Sequence, residues 1–349
     1  MIMQTNKTSF NQANCFDFLR FFFAFQILFY HISVLSQNEK LAFLSILFNA
    51  NIAVKGFFII SGFLVAKSYK NTATLKLYFI KRIKRILPAY LAVVFLSSIL
   101  LFFVSDLSFN NYFFNLEVYK YFGWNSVFMN FMHPCLPGVF TNNLMCAVNG
   151  SLWTLKVEEG FYLVLPLIFY LIFKTRNTFL ILVTLYIMSF LYFYIFEYYY
   201  NLPTIAKQLP GYLSYFSSGI FLFIFFEKVY QRKKMLLFTS LALLIITYNI
   251  NPAYNILFPI SFAVFTITVA YSFPIANNFG KYGDFTYGLY IYHFPIIQIF
   301  KQYNLFEKYN PFLMTFFVLL LSFLFALFSW FFIEKRFLDR YKNKLKNAS

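Results

Sequence analysis

Charge is what this sequence has least of. Only 12% of its 349 residues are charged, and just 12 are Asp or Glu. A soluble chain of this length needs far more charged surface, so a soluble globular protein is excluded. Histidine and cysteine are equally scarce, at three each. They are widely spread with no ligand-pair spacing, which argues against a resident metal. No Walker A motif is present, so the chain is not its own ATPase. There is no sequence repeat, no low-complexity linker and no second soluble domain. The opening MIMQTNKTSFNQANCFD lacks a basic n-region followed by a small-residue cleavage site, so the first apolar run is expected to stay as a helix.

What is abundant is apolar. The chain is 60% hydrophobic and 25% aromatic, with 55 phenylalanines and a mean hydropathy of +0.64. Apolar runs of spanning length lie at 14–36, 45–66, 86–105, 150–172, 178–197, 209–226, 235–250, 256–273, 284–300 and 311–333. The expectation is an all-α, polytopic transmembrane bundle of about ten helices. It forms one integral-membrane domain over 1–349, with a core at about 13–338 and a short basic tail at 335–349.

A net charge of +17 suggests nucleic acid, but its placement does not. The basic residues sit in short clusters between apolar runs, which is the positive-inside pattern. With the N-terminus in the cytoplasm, 21 Lys and Arg fall inside and 5 outside; Arg20, Lys55 and Lys156 lie within helices. Both termini are therefore expected in the cytoplasm, with the tail resting on anionic headgroups. One long loop, about 106–149, falls outside and holds Trp124, His133, Cys135 and Cys146. If that face is oxidising the two cysteines form a disulfide; otherwise they are free thiols.

The run RFFFAFQILFYH opens on Arg20 and closes on His31. Eleven residues at about 100° each bring the two to within about 20° of one helical stripe, separated by roughly 16 Å of rise. Singly, Arg20 reads as a snorkelling anchor and His31 as a packing histidine. Together they read better as walls of a polar path through the bundle. Glu158 and Glu159 follow SLWTLK, beginning at Ser151 and including Trp153, and at most one of two adjacent carboxylates faces that path. His293 lies in TYGLYIYHFP with Tyr287, Tyr290 and Tyr292, tyrosines that equally suit an interfacial belt. Lys55 precedes GFFIISGF, where Ser61-Gly62 permits close helix approach. In KRIKRILP, Arg82 and Arg85 are three apart at a helix start, with Pro88 as the candidate start of the third helix. The pair is either plain positive-inside charge or a clamp for phosphates. A histidine with a carboxylate near one face and a phosphate patch at the other suits general-base chemistry.

Six motifs, in order, resemble the membrane-bound acyltransferase 3 family of the polysaccharide O-acetyltransferase type. They are Arg20-x10-His31; GFFIISGFL at 56–64; RIKRILPAY at 82–90; NGSLWTLKVEEGFY at 149–162; TYGLYIYHFP at 286–295; and WFFIEKRF at 330–337. The resemblance implies transfer of an acyl group, usually acetyl, from cytoplasmic acyl-CoA to a hydroxyl of a cell-surface or lipid-linked glycan. No cofactor is held permanently; acyl-CoA is the donor substrate. The implied setting is the bacterial cytoplasmic (inner) membrane, and other glycan-assembly proteins are candidate partners. His31 resembles the catalytic histidine, Arg20 its motif partner, Glu158 the motif glutamate, and Arg82 and Arg85 the donor-binding pair. Lys55, Ser61, Trp153, Glu159, Tyr290 and His293 are candidates along the substrate path. Two departures from the family are expected: Lys55-Gly56 stands where many members carry Asp, and no part of these 349 residues reads as the soluble esterase-like domain that the family often appends. A transporter or flippase of a lipid-linked glycan is the alternative, and a structural component of a glycan-assembly complex a third reading.

Overall fold

The computed structural model describes residues 13–248, 256–277, 279–281 and 283–338. Most of the basic tail, and both chain ends, lie outside the described residues. Among the described residues the chain is helical, with no named strand and one isolated bridge between Cys135 and Ala147.

A helix occupies each apolar run. They are α1 (Phe16–Ser36), α2 (Ala50–Lys70), α3 (Leu75–Leu100), α4 (Trp153–Thr175), α5 (Thr178–Tyr194), α6 (Leu209–Ile224), α7 (Lys233–Tyr248), α8 (Phe258–Ala270), α9 (Thr286–Gln302) and α10 (Pro311–Phe328). Among the described residues, five segments are long and apolar enough to cross a membrane by length and composition. These are Phe16–Ser36, Glu39–Lys70, Leu75–Val104, Thr178–Tyr199 and Pro311–Phe337, and a bent pair around α8 would make a sixth. The expectation for the third helix needs correction. Pro88 lies inside α3, whose first residue is Leu75, so the whole KRIKR cluster is helical. A proline removes one backbone donor without forbidding continuation, and in an apolar setting neighbouring groups can satisfy the freed carbonyl.

The described residues divide into two compact units. One draws on the described residues up to Arg20, from Val54 to Tyr78 and from Val157 to 281, the other on those from Phe21 to Ala53, from Phe79 to Lys156 and from Gly283 to 338. In the first unit, α2 and α6 meet backbone to backbone. A Cβ added at Gly62 would lie 2.2 Å from the Phe216 carbonyl oxygen, and one at Gly219 only 2.3 Å from that of Ile59. Only hydrogen at both positions permits that approach, which is the small-residue packing used where lipid removes the hydrophobic drive between helices. α6 also docks on α5, where Ser189 Oγ donates to Gly211 O (3.1 Å) and accepts from Ser214 N (2.8 Å).

In the second unit, α9 is buried over nearly its whole length. It lies against α10 where a Cβ on Gly288 would come 2.7 Å from the Ala326 Cα. The long loop is folded onto it. Cys135 and Cys146 are bridged, with Cα atoms 5.3 Å apart. Gln298 of α9 donates to Met145 O (2.8 Å) and Ala147 O (2.9 Å), while Asn143 Nδ2 donates to Gln298 O (2.9 Å). Two short helices, Phe109–Phe113 and Leu116–Ser126, complete the loop.

Candidate active site

The second unit holds the histidines. His31, half-buried in α1, places Nδ1 2.8 Å from Nε2 of His293 in α9. The two rings lie within 10° of parallel, and the edge of Phe294 packs against His31 with centroids 5.2 Å apart. His293 is fully buried, and its Nδ1 lies 3.1 Å from the Leu289 carbonyl oxygen one turn back.

The backbone around His293 is held by the NGSLWT segment. Pro295 has no N–H, so the Ile291 carbonyl loses its helical donor. Asn149 Nδ2 takes that place at 2.7 Å, while Asn149 Oδ1 accepts from Ser151 Oγ at 2.6 Å. Tyr290 OH donates to Ser151 O at 2.9 Å and shares a 2.5 Å hydrogen bond with Thr154 Oγ1. The loop and the first turn of α4, which Trp153 opens, are thus tied to the turn of α9 that carries His293.

The basic pair belongs to the same unit. Arg82 and Arg85 lie three apart on α3, and Arg85 pairs with Asp284, the residue two before α9. Asp284 Oδ1 accepts from Thr286 N (3.3 Å), and Tyr287 OH donates to the Ile86 carbonyl (2.9 Å), so the α9 start is fastened to the RIKR turn. A phosphate docking here would share Arg85 with Asp284. The third histidine lies apart: His133 contacts Glu117 at 3.3 Å, and Lys120 donates to the same carboxylate at 2.7 Å. The Lys120 hydrogen bond holds the Glu117 carboxyl below the usual range.

The first unit holds the remaining candidates. Glu158 of α4 accepts from Tyr162 OH one turn on, and from Ser61 Oγ of α2 at 3.2 Å. Those two donors fix the carboxylate while leaving lone pairs for a further partner. Glu159, its neighbour, is half-buried. Arg20, at the start of α1, lies 3.9 Å from Asp17, against which Gly280 packs so closely that a Cβ would meet Asp17 Oδ2 at 2.1 Å. Lys55 is buried, with Nζ 5.4 Å from the ring centroids of both Tyr215 and Phe258. Ring faces stabilise the ammonium where no carboxylate salt bridge is found among the described residues.

Asp284, Asn149, Ser151, Thr154 and Tyr162 were not singled out from sequence. All but Asp284 lie inside a quoted motif. Asp284 had a signal of its own: it is one of 12 acids in the chain and adjoins an apolar run. Among the described residues no group of three His, Cys, Asp or Glu could hold a metal.

The acyltransferase 3 family model, described as an acyltransferase domain, matches residues 14–331. An O-acetyl transferase of Shigella phage Sf6 is 26% identical over 348 residues, covering 96% of this chain and 99% of its own. Nodulation protein 10 of Rhizobium leguminosarum bv. viciae is 32% identical over 174 residues, 47% of this chain and 46% of its own. No solved structure matches the chain.

Proposed function

The chain belongs to the acyltransferase 3 family and is an integral-membrane acyltransferase, and on that premise we propose that it moves an acetyl group from cytoplasmic acetyl-CoA to a hydroxyl of a cell-surface or lipid-linked glycan. The observation that carries the reading is His31: a half-buried imidazole with one ring nitrogen engaged by a second, buried histidine. The full-length similarity to the phage O-acetyl transferase supports the acyl group and the oxygen acceptor. In this reading ten helices cross a bacterial cytoplasmic membrane with both termini inside. The disulfide-bonded loop then faces the oxidising side, as disulfide chemistry favours.

The donor's phosphates dock at Arg82 and Arg85, and Arg20 is the motif partner of His31 on α1. His31 takes the proton of the acceptor hydroxyl as its oxygen attacks the thioester carbonyl. The C–S bond then breaks, and the leaving thiolate recovers the proton from the imidazolium, so the ring returns to its starting state. Glu158, the motif glutamate, is held by Ser61 and Tyr162 and supplies a negative charge to the reaction. Trp153 and Tyr290, in the unit that holds His31, are the acceptor-side candidates there, and Lys55 and Glu159 are those of the other unit. An acyl-histidine intermediate is the other form of the same chemistry.

The test follows thiol release from acetyl-CoA by the full chain in nanodiscs, with and without glycan extract, for wild type and His31→Ala. Release that requires both acceptor and His31 is the expected result. Full transfer by folded His31→Ala would refute the role of His31. Neither release nor coenzyme A binding by folded wild type would favour the transporter reading instead.

A further inference from the structure

We propose that His293 is a positioning residue that fixes the ring tautomer of His31, so that His31 Nε2 carries the lone pair that accepts the proton. The role of that lone pair rests on the acyl-transfer reading above; the tautomer itself does not.

The argument is one of donors and acceptors. A neutral imidazole has one N–H and one lone pair. His293 Nδ1 lies 3.1 Å from the Leu289 carbonyl oxygen. A carbonyl oxygen can only accept, so Nδ1 of His293 carries the hydrogen. Its Nε2 is then a lone pair, and that atom lies 2.8 Å from His31 Nδ1. Two lone pairs cannot face each other at that distance, so His31 Nδ1 carries the hydrogen. His31 Nε2 is left unprotonated. The relay reads, in order, Leu289 carbonyl, His293, His31, open lone pair, and each step follows from the one before.

The opposite relay would set the His293 Nδ1 lone pair against that of the Leu289 oxygen inside a fully buried site, where no water relieves the repulsion. The fold also holds His293 in place. Asn149 bonds the Ile291 carbonyl that Pro295 leaves without a donor, and Tyr290 is tied to Ser151 and Thr154, so the turn carrying His293 is fixed on both flanks. A chemical consequence follows. When His31 takes a proton at Nε2, its Nδ1–H bond to His293 becomes charge-assisted, and stabilisation rises as charge develops. A merely packed histidine pair has no such asymmetry.

The chain has only three histidines, which makes the tautomer directly observable. The full chain, labelled with 15N-histidine and held in nanodiscs, gives six ring nitrogens; His31→Gln and His293→Gln assign them by difference. The expected spectrum has His31 protonated at Nδ1 and bare at Nε2. In His293→Phe, which keeps ring bulk and removes the acceptor, His31 is expected to shift toward the Nε2–H form that an unconstrained histidine side chain prefers. In His293→Gln, whose amide oxygen can replace Nε2, the wild-type tautomer is expected to return. Turnover should follow: His293→Phe loses at least about 100-fold in kcat with little change in KM, and His293→Gln recovers to within about tenfold of wild type. A protonated Nε2 on His31 in the wild type would overturn the proposal. So would a Gln variant as inactive as the Phe variant, with both folded. If His293→Phe fails to fold, the wild-type and His293→Gln spectra decide the matter alone. A wild type with the expected tautomer but no thiol release would refute the acyl-transfer reading and leave the relay standing.

Discussion

Asn149 lets one hydrogen bond be weighed against one missing backbone donor. Its side chain is buried, donates to the Ile291 carbonyl at 2.7 Å and accepts from Ser151 Oγ at 2.6 Å and Ser151 N at 3.3 Å. Asn149→Ala leaves the Ile291 carbonyl and the Ser151 N–H without those partners. At about 1–3 kcal/mol per stranded buried group, the loss is about 2–6 kcal/mol. Pro295 is the reason the Ile291 carbonyl depends on Asn149, so Pro295→Ala should return a helical N–H to it. In that background Asn149→Ala strands one group fewer, and its cost should fall by about 1–3 kcal/mol. The assay is a double-mutant cycle on reversible unfolding of the purified protein in mixed micelles. Costs that add to within about 0.5 kcal/mol would refute the reasoning, because the carbonyl would then be satisfied some other way.

Three further outcomes are expected. Gly62→Ala should destabilise by at least about 1–3 kcal/mol, because its Cβ meets backbone at 2.2 Å; Gly123→Ala, with nothing within 4 Å, should stabilise by about 0.5–1 kcal/mol in its short helix, and paired thermal melts compare them. Glu158→Gln keeps the oxygen that accepts from Ser61 and Tyr162 and removes the charge, so it should leave the melting temperature nearly unchanged while lowering kcat; unchanged kcat would remove the carboxylate charge from the mechanism. Replacing Cys135 and Cys146 by serine should cost about 3 kcal/mol by the loop-entropy relation for a separation of 11, read by chemical unfolding; Gln298 and Asn143 still tie the loop to α9, so its fold should persist.

The all-helical character of the apolar runs was legible in the sequence, and the reason is local. An apolar run in lipid must satisfy its backbone within itself, and the helix does so whatever surrounds it. The small pair at Ser61-Gly62 was legible for the same kind of reason, since glycine in an apolar helix has few uses besides close approach. The Arg20–His31 stripe needed only a continuous α1. Pro88 misled because a proline's local signal is a break, whereas the surrounding fold lets α3 run from Leu75 straight through it.

What a residue meets across the fold was not legible. His31 and His293 are 262 residues apart, and Arg85 and Asp284 are 199 apart. Periodicity reports which face of its own helix a side chain occupies. It carries nothing about which other helix lies opposite, because that depends on how all the faces pack together. The sequence by itself determined that this is a helical membrane protein, where its helices run and which rare polar residues stand in them. Only the tertiary structure decided that one histidine's ring is held by another, that a loop asparagine replaces the donor proline lacks, and that an arginine of the basic patch already has an aspartate beside it.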